Sequence, residues 1–270
     1  MAAEVDSKPE TVHFTSADEP ATPLSGLLVK PKGKGPHSAV IMLHGCSGML
    51  TKSGKLKQRP TFWSRWLAAR GHLVLMADSF TPRGLNSICK IKKRPVQPDR
   101  ERPFDAYGAL KYLQSRPDVR PDRIALMGWS NGAMTLLWTV KAETPARPAG
   151  LTHDFRAAIA FYPGCVKLAK TDYRAKTPVL LQLGEADDWT PAKPCLDLMA
   201  SAIPKGSPMR ADVYPNAYHN FDHPTSKLKI ITTRNSVYKG GEKQVHVGSN
   251  PEARAAAIAN VAAYLERFFR

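Results

Sequence analysis

The sequence predicts an α/β fold, one open and mainly parallel sheet of about eight strands with helices on both faces. Three observations carry the prediction. Strand-like and helix-like segments alternate along the chain. Several of the strand-like segments are near-continuous apolar runs, as strands buried on both faces would be. The 270 residues show no internal repeat and no composition break that would mark a second domain, so residues 1–270 read as one unit.

The elements follow in order. "TVHFTS" (Thr11 to Ser16) and "LSGLLVKP" (Leu24 to Pro31) read as extended, and "SAVIMLHG" (Ser38 to Gly45) as the first fully buried strand. "TFWSRWLAARG" sets Phe62, Trp66, Leu67 and Ala69 at helical spacing and stops at Gly71. "HLVLMADSF" is the next buried strand, "PFDAYGALKYLQSRP" a helix ended by Pro117, and "RIALMG" a further strand. "AMTLLWTV" reads as helix, "FRAAIAFYPG" and "TPVLLQLG" as strands, "KPCLDLMASAI" as helix and "MRADVYP" as the last strand. "NPEARAAAIANVAAYLERFF" closes the chain as a long helix with Pro251 near its first turn. Residues 223–248 read as an irregular basic excursion before that helix.

Composition narrows the function classes. No apolar run approaches the ~18 residues of a membrane span. The polar start "MAAEVDSKPE" holds no signal peptide, although a cleaved one replaced by an initiator Met would look the same. The formal charge of +16 invites a nucleic-acid or anionic-surface reading. The densest basic run, "KIKKRPVQPDRER" (Lys90 to Arg102), is broken by prolines and has no interleaved aromatics, so it reads as a solvated loop without a nucleic-acid motif. Cys46, Cys89, Cys165 and Cys195 lie far apart with no metal-type spacing, leaving two disulfides or four buried thiols open.

In such a sheet, functional groups collect beyond the carboxyl ends of the strands. After "IALM" comes Gly128-Trp129-Ser130-Asn131-Gly132 and then a helix. A GxSxG appears by chance in about one chain in ten of this length, but a strand-to-helix turn is where glycines allow a serine oxygen to stand above the sheet. A serine hydroxyl needs a base, and the base needs an acid to orient it. "EADDWTP" after the next-to-last strand offers Asp187, with Asp188 as the alternative, and "YHNFDH" after the last strand offers His219. The order Ser, Asp, His, each following a separate strand, fits the chain order of α/β hydrolases. His223 suits a surface role, and His44 a structural bond within its loop. The backbone amides of Cys46 and Asn131 are the candidate oxyanion donors. Cys46 as a rival nucleophile has no helix-opening turn beneath it.

Together, Gly128 to Gly132, "GEADDWTP", "YHNFD" and "LHGCSG" resemble the dienelactone hydrolase family of α/β hydrolases, over roughly Leu24 to Arg270. The resemblance implies Ser130, Asp187 and His219 as the triad. Well-known dienelactone hydrolases carry a cysteine nucleophile, and Ser130 here points toward ordinary carboxylic esters, lactones included. "DSFTPRG" resembles the family's loop in which an arginine contacts a substrate carboxylate, with Arg83 at the matching position, offset by one residue. Trp129, Tyr162 and Trp189, at or just past strand ends, are expected to line the substrate pocket. The family's strand neighbours place Cys46 beside Cys89 and Cys165 beside Cys195, implying two disulfides and a periplasmic or secreted mature protein, with the cytoplasm as the alternative. The expected chemistry is acyl transfer to water on a small ester or lactone, with no metal or organic cofactor, no nucleic-acid partner and no membrane span. A peptidase or acyltransferase on the same fold is the rival enzyme class, and a non-catalytic binder of an anionic polymer the rival outside enzymes.

Overall fold

The computed structural model describes residues 8–233 and 242–270. Ten strands and five helices run in the order β1 (Glu10–Thr15), β2 (Pro23–Val29), β3 (His37–Leu43), α1 (Gln58–Ala68), β4 (Leu73–Asp78), α2 (Glu101–Gln114), β5 (Val119–Trp129), α3 (Asn131–Thr139), β6 (Ala157–Phe161), β7 (Val179–Gly184), α4 (Lys193–Ala202), β8 (Met209–Tyr214), β9 (Lys229–Thr233), β10 (Lys243–Val247) and α5 (Pro251–Phe269), counted over the described residues. Eight of the strands form one sheet ordered β1-β2-β4-β3-β5-β6-β7-β8. β2 is antiparallel to both neighbours, and every pairing from β4 through β8 is parallel.

The apolar runs are explained by two-sided burial. Every residue of β4, β6 and β7 is buried. Because side chains alternate along a strand, Val40 and Met42 of β3 join the layer under α1 and α5, while Ile41 and Leu43 join the layer under α2, α3 and α4. At roughly 25 cal/mol per Å² of apolar surface removed from water, these two layers are the main force closing the sheet. α5 begins where the Asn250 side chain accepts a hydrogen bond from the Ala253 amide (3.1 Å) and Pro251 fills a position that needs no donor.

The excursion before α5 is more ordered than its composition suggested. β9 and β10 pair as an antiparallel ribbon, with Lys229 opposite Val247 and Thr233 opposite Lys243. Its strands are five residues each and both begin with lysine, so the alternation is too short and too charged to stand out. Residues 234–241 lie outside the described residues. The ribbon is stitched to the loop after β8, where the Gly248 amide donates to the His219 carbonyl at 2.9 Å. No described helix is long and apolar enough to cross a membrane.

Candidate active site

β5 stops at Trp129, and Ser130 adopts φ 51, ψ −113 before α3 begins at Asn131. This left-handed backbone is unusual for a residue with a Cβ and costs on the order of 1–3 kcal/mol. It is held by the Ser130 amide donating to the Phe161 carbonyl at 2.9 Å on the neighbouring strand. The flanking glycines serve a different purpose from the one expected. Neither has a positive φ; they are there for close approach. A Cβ on Gly132 would lie 2.1 Å from the Leu43 carbonyl oxygen, and one on Gly128 would lie 2.5 Å from that of Gly132.

Asp187 and His219 meet after β7 and β8. His219 Nδ1 donates to Asp187 Oδ2 at 2.8 Å, and both side chains are almost wholly buried. Asp187 Oδ1 accepts the amides of Trp189 (2.9 Å) and Thr190 (2.8 Å), which fixes the orientation of the carboxylate. The Thr190 hydroxyl lies 2.9 Å from the Tyr162 carbonyl and 3.0 Å from Asp187 Oδ2, closing the same knot. With Nδ1 engaged, Nε2 is the free nitrogen of an imidazole that lines one cavity with Ser130. The Ser130 hydroxyl has no hydrogen-bond partner among the described residues. The alternative acid, Asp188, is committed elsewhere: it accepts from His246 Nδ1 (2.7 Å) and the His246 amide (2.9 Å), tying the β9–β10 ribbon to the acid loop.

Cys46 and Asn131 line a cavity with Ser130, and neither amide donates to a partner among the described residues. The loop that carries Cys46 and the start of α3 at Asn131 are joined by Arg102, which is fully buried. Its guanidinium donates to the His44 carbonyl (2.9 Å), Asn131 Oδ1 (2.5 Å) and Ser79 Oγ (3.3 Å). Burial lowers this arginine's pKa to about 10. His44 is structural, as its loop position suggested. Burial, followed by the charge of Arg102, pushes its pKa down to about 3, so the ring is neutral, with Nδ1 donating to the Gly45 carbonyl (2.9 Å) and Nε2 accepting the Ser79 amide (3.2 Å).

Both expected disulfides are present. Cys46 bonds Cys89, and Cys165 bonds Cys195. The first ties the Cys46 loop to the segment after β4; the second ties the segment after β6 to α4. No group of three or more His, Cys, Asp or Glu among the described residues is arranged to hold a metal ion.

A comparison with protein-family profiles matches residues 24–269 to the dienelactone hydrolase family. The chain belongs to that family. YtaP, named as a hydrolase of Bacillus subtilis (strain 168), is 33% identical over 129 residues, 43% of each chain. The chain spans about half the length of the curated relatives it matches. Among solved structures, the dienelactone hydrolase-like promiscuous phosphotriesterase P91 from metagenomic libraries superposes with a TM-score of 0.69 at 18% identity, covering 98% of this chain and 100% of that one. Thermogutta terrifontis esterase 2, solved phosphorylated by paraoxon, superposes with a TM-score of 0.66 at 16% identity, covering 98% and 96%. The fold is therefore the α/β-hydrolase fold.

Within this family fold, three residues expected in the substrate pocket are employed otherwise. Arg83 forms a two-pronged ion pair with Asp105 (2.8 and 2.9 Å) and donates to the Ser79 carbonyl (2.8 Å), so its fork is filled and it does not line the cavities that contain Ser130. Trp129 and Tyr162 are buried behind the site, and both donate to Asp222, the former through Nε1 at 2.7 Å and the latter through its hydroxyl at 2.5 Å. Trp63 Nε1 adds a third bond at 2.8 Å. Trp189 does line the Ser130 cavities, its ring centroid 4.7 Å from that of His219. Sequence reasoning passed over Asp222, although it lies in the quoted "YHNFDH". It is the fully buried anchor beneath Tyr162, whose ring in turn packs 4.5 Å from the His219 ring.

Proposed function

We propose that this hydrolase cleaves carboxylic esters, lactones included, with Ser130 as nucleophile, His219 as base and Asp187 as the group that orients the base. The observation that carries the proposal is the Asp187–His219 bond beside a serine on a strained strand-to-helix turn. Four strand ends, those of β3, β5, β7 and β8, supply the participating groups, so residues 1–270 act as one catalytic unit.

In the proposed sequence, His219 Nε2 takes the Ser130 proton as Oγ attacks the ester carbonyl. The tetrahedral oxyanion accepts from the amides of Cys46 and Asn131, at the positive end of α3. Collapse expels the alcohol, which receives the proton held by His219 and leaves an acyl group on Ser130. Water then gives a proton to His219 and attacks the acyl carbon, releasing the acid and restoring the serine. The two disulfides suit a protein that works in an oxidising compartment, periplasmic or extracellular.

The test is turnover of graded p-nitrophenyl esters, aryl esters and lactones by the protein and by Ser130→Ala. The expected loss in kcat is on the order of a million-fold, as when a triad serine is removed elsewhere. Retained activity in the variant, or failure of a fluorophosphonate probe to label Ser130, would refute the assignment.

A further inference from the structure

Two cavities meet at Ser130, sharing Cys46 and Trp189 as well, and the charge on their walls is predominantly positive. The first, of about 570 Å³, is lined by Lys92, Lys93, Arg94 and Lys167 against a single carboxylate, Asp99. Lys167 pairs with Asp99. The other three cations have no carboxylate partner among the described residues. The second, of about 370 Å³, is lined by Lys57, Arg59, Lys90 and Lys229 and, among the described residues, by no carboxylate.

Exposed lysines alone are what a solvated basic face would show, which is what the sequence predicts for the run Lys90 to Arg102. Two features go further. Arg94 Nε and Arg59 Nε are both buried without a hydrogen-bond partner, one in each cavity wall. Arg59 Nε stands 4.0 Å from Asp222 Oδ1, but that carboxylate already accepts three stronger bonds. Lys57, whose Nζ bonds only backbone carbonyls, is held below the ordinary lysine pKa by burial and by Arg59. A half-buried guanidinium with an unsatisfied N–H is costly unless an anion completes it. Here the cost recurs on both sides of the candidate nucleophile.

We infer that the ester taken by this site carries an anionic group on each side of its scissile bond, one held by Arg94 with Lys92 and Lys93, the other by Arg59 with Lys57 and Lys229. The inference rests on the ester-hydrolase reading above. It makes Arg94 and Arg59 specificity-determining residues. It also gives the chain's excess of positive charge a local purpose, since a predominantly positive cleft concentrates oppositely charged substrate before contact.

Four aryl esters of adipic acid separate the two charges: 4-carboxyphenyl hydrogen adipate (an anion on both sides), 4-carbamoylphenyl hydrogen adipate (acyl side only), 4-carboxyphenyl adipamate (alcohol side only) and 4-carbamoylphenyl adipamate (neutral). The carbamoyl phenol is the better leaving group, so intrinsic reactivity works against the expected order. At about 10 mM ionic strength, kcat/KM should rise about tenfold with each carboxylate, placing the dianion about a hundredfold above the neutral ester. The advantage should shrink to a few-fold near 0.5 M salt, where the Debye length is only ~4 Å. Arg94→Gln should lower the dianion-to-neutral ratio by up to about tenfold, and Lys229→Gln should lower it by a smaller factor. The wild-type comparison needs no variant, so a misfolded substitution does not obscure the answer. Equal use of all four esters, or a benefit from one carboxylate alone, overturns the inference while leaving the ester-hydrolase reading standing. No turnover of any of the four, with no fluorophosphonate labelling of Ser130, is instead the failure of that reading.

Discussion

The substitution Asp222→Asn tests whether the buried anchor behind His219 sets turnover as well as stability. The introduced amide keeps one acceptor oxygen, which can stay on Trp63 and Trp129, whose Nε1 atoms lie 2.8 and 2.7 Å from Asp222 Oδ2. Its NH2 group then replaces Oδ1, which accepts the Tyr162 hydroxyl at 2.5 Å. That hydroxyl oxygen already accepts from Arg59 Nη1 at 2.7 Å, so its own proton loses its acceptor. A lost hydrogen bond to a charged group costs about 2 kcal/mol. The weakened attraction to Arg59, partly exposed to solvent, adds about 1 kcal/mol. The sum of about 3 kcal/mol, set against an unfolding entropy of ~0.57 kcal/mol/K for a chain this long, lowers Tm by about 5 °C. Tyr162 supports the His219 ring, and a misplacement on the scale of 1 Å costs up to about a hundredfold, so kcat should fall about 10- to 100-fold with KM little changed. Thermal melting by circular dichroism and steady-state kinetics at about 25 °C, well below either melt for a domain of this kind, read the two effects separately. A variant with unaltered Tm and kcat would refute the reasoning. A lowered Tm with unaltered kcat would leave Asp222 a stabilising group only.

Three further outcomes follow from the same geometry. Gly132→Ala places a Cβ 2.1 Å from the Leu43 carbonyl oxygen, backbone against backbone. The variant should lose at least about 3 kcal/mol or fail to fold, and a melt matching the wild type would contradict the close packing of the turn. Removing the Cys165–Cys195 bond by paired alanine substitution frees a loop with a sequence separation of 30. The chain-entropy model gives a loss of about 3.6 kcal/mol, or roughly 6 °C in Tm, and an unchanged Tm would show that the bond adds nothing to stability. His44 and His72 are pushed by burial to about 3 and about 4. The unfolded chain binds these protons first, so their contribution is fully present above about pH 6.5 and is lost as pH falls toward the folded values. Denaturant midpoints should decline from pH 6.5 to 4, ahead of most carboxylate titration, and a flat profile across that window would exclude the effect.

How much of this was legible depends on whether a residue's partners were near it in sequence or announced by a pattern. β3 and β4 were legible because two-sided burial leaves unbroken apolar runs. The strand-end placement of Ser130, Asp187 and His219 was legible because each follows an apolar run, and the disulfides followed once the strand neighbours were assigned by resemblance. Asp222 was not, since a buried acceptor and a solvated loop aspartate look alike when its donors, Trp63 and Trp129, are 159 and 93 residues away. Arg83 failed for a related reason: its filled fork depends on Asp105, on another element. Arg102 was hidden inside a basic run, yet a signal existed. Arg102, Asp105, Ala106 and Ala109 are all buried on α2 and fall at i, i+3, i+4 and i+7, the stripe of a helix face. Extending the helix one turn toward its N-terminus would have turned that arginine inward.

The backbone itself marks which part of the site is rigid. Among the described residues, the positive-φ positions other than glycine are Ser130, Tyr162, Asn216 and Asn220, and every one follows a strand end around the candidate triad. Each such conformation costs on the order of 1 kcal/mol or more and persists only where its surroundings overrule it. The overruling bonds are visible. The Tyr162 amide donates to the Gln182 carbonyl at 2.9 Å, the Tyr162 carbonyl accepts the Thr190 hydroxyl, and the Asn220 carbonyl accepts the His223 amide at 2.9 Å. Strain is thus concentrated in the floor of the site, where the reacting groups need fixed positions. The lysines of the walls are held by few bonds and are free to follow a ligand's charge. Under the proposed function, that division would assign turnover to the strand ends and selectivity to the loops. Substitutions at Lys92 or Lys93 should therefore act on kcat/KM through encounter and docking, whereas changes at Tyr162 or Thr190 should act on kcat.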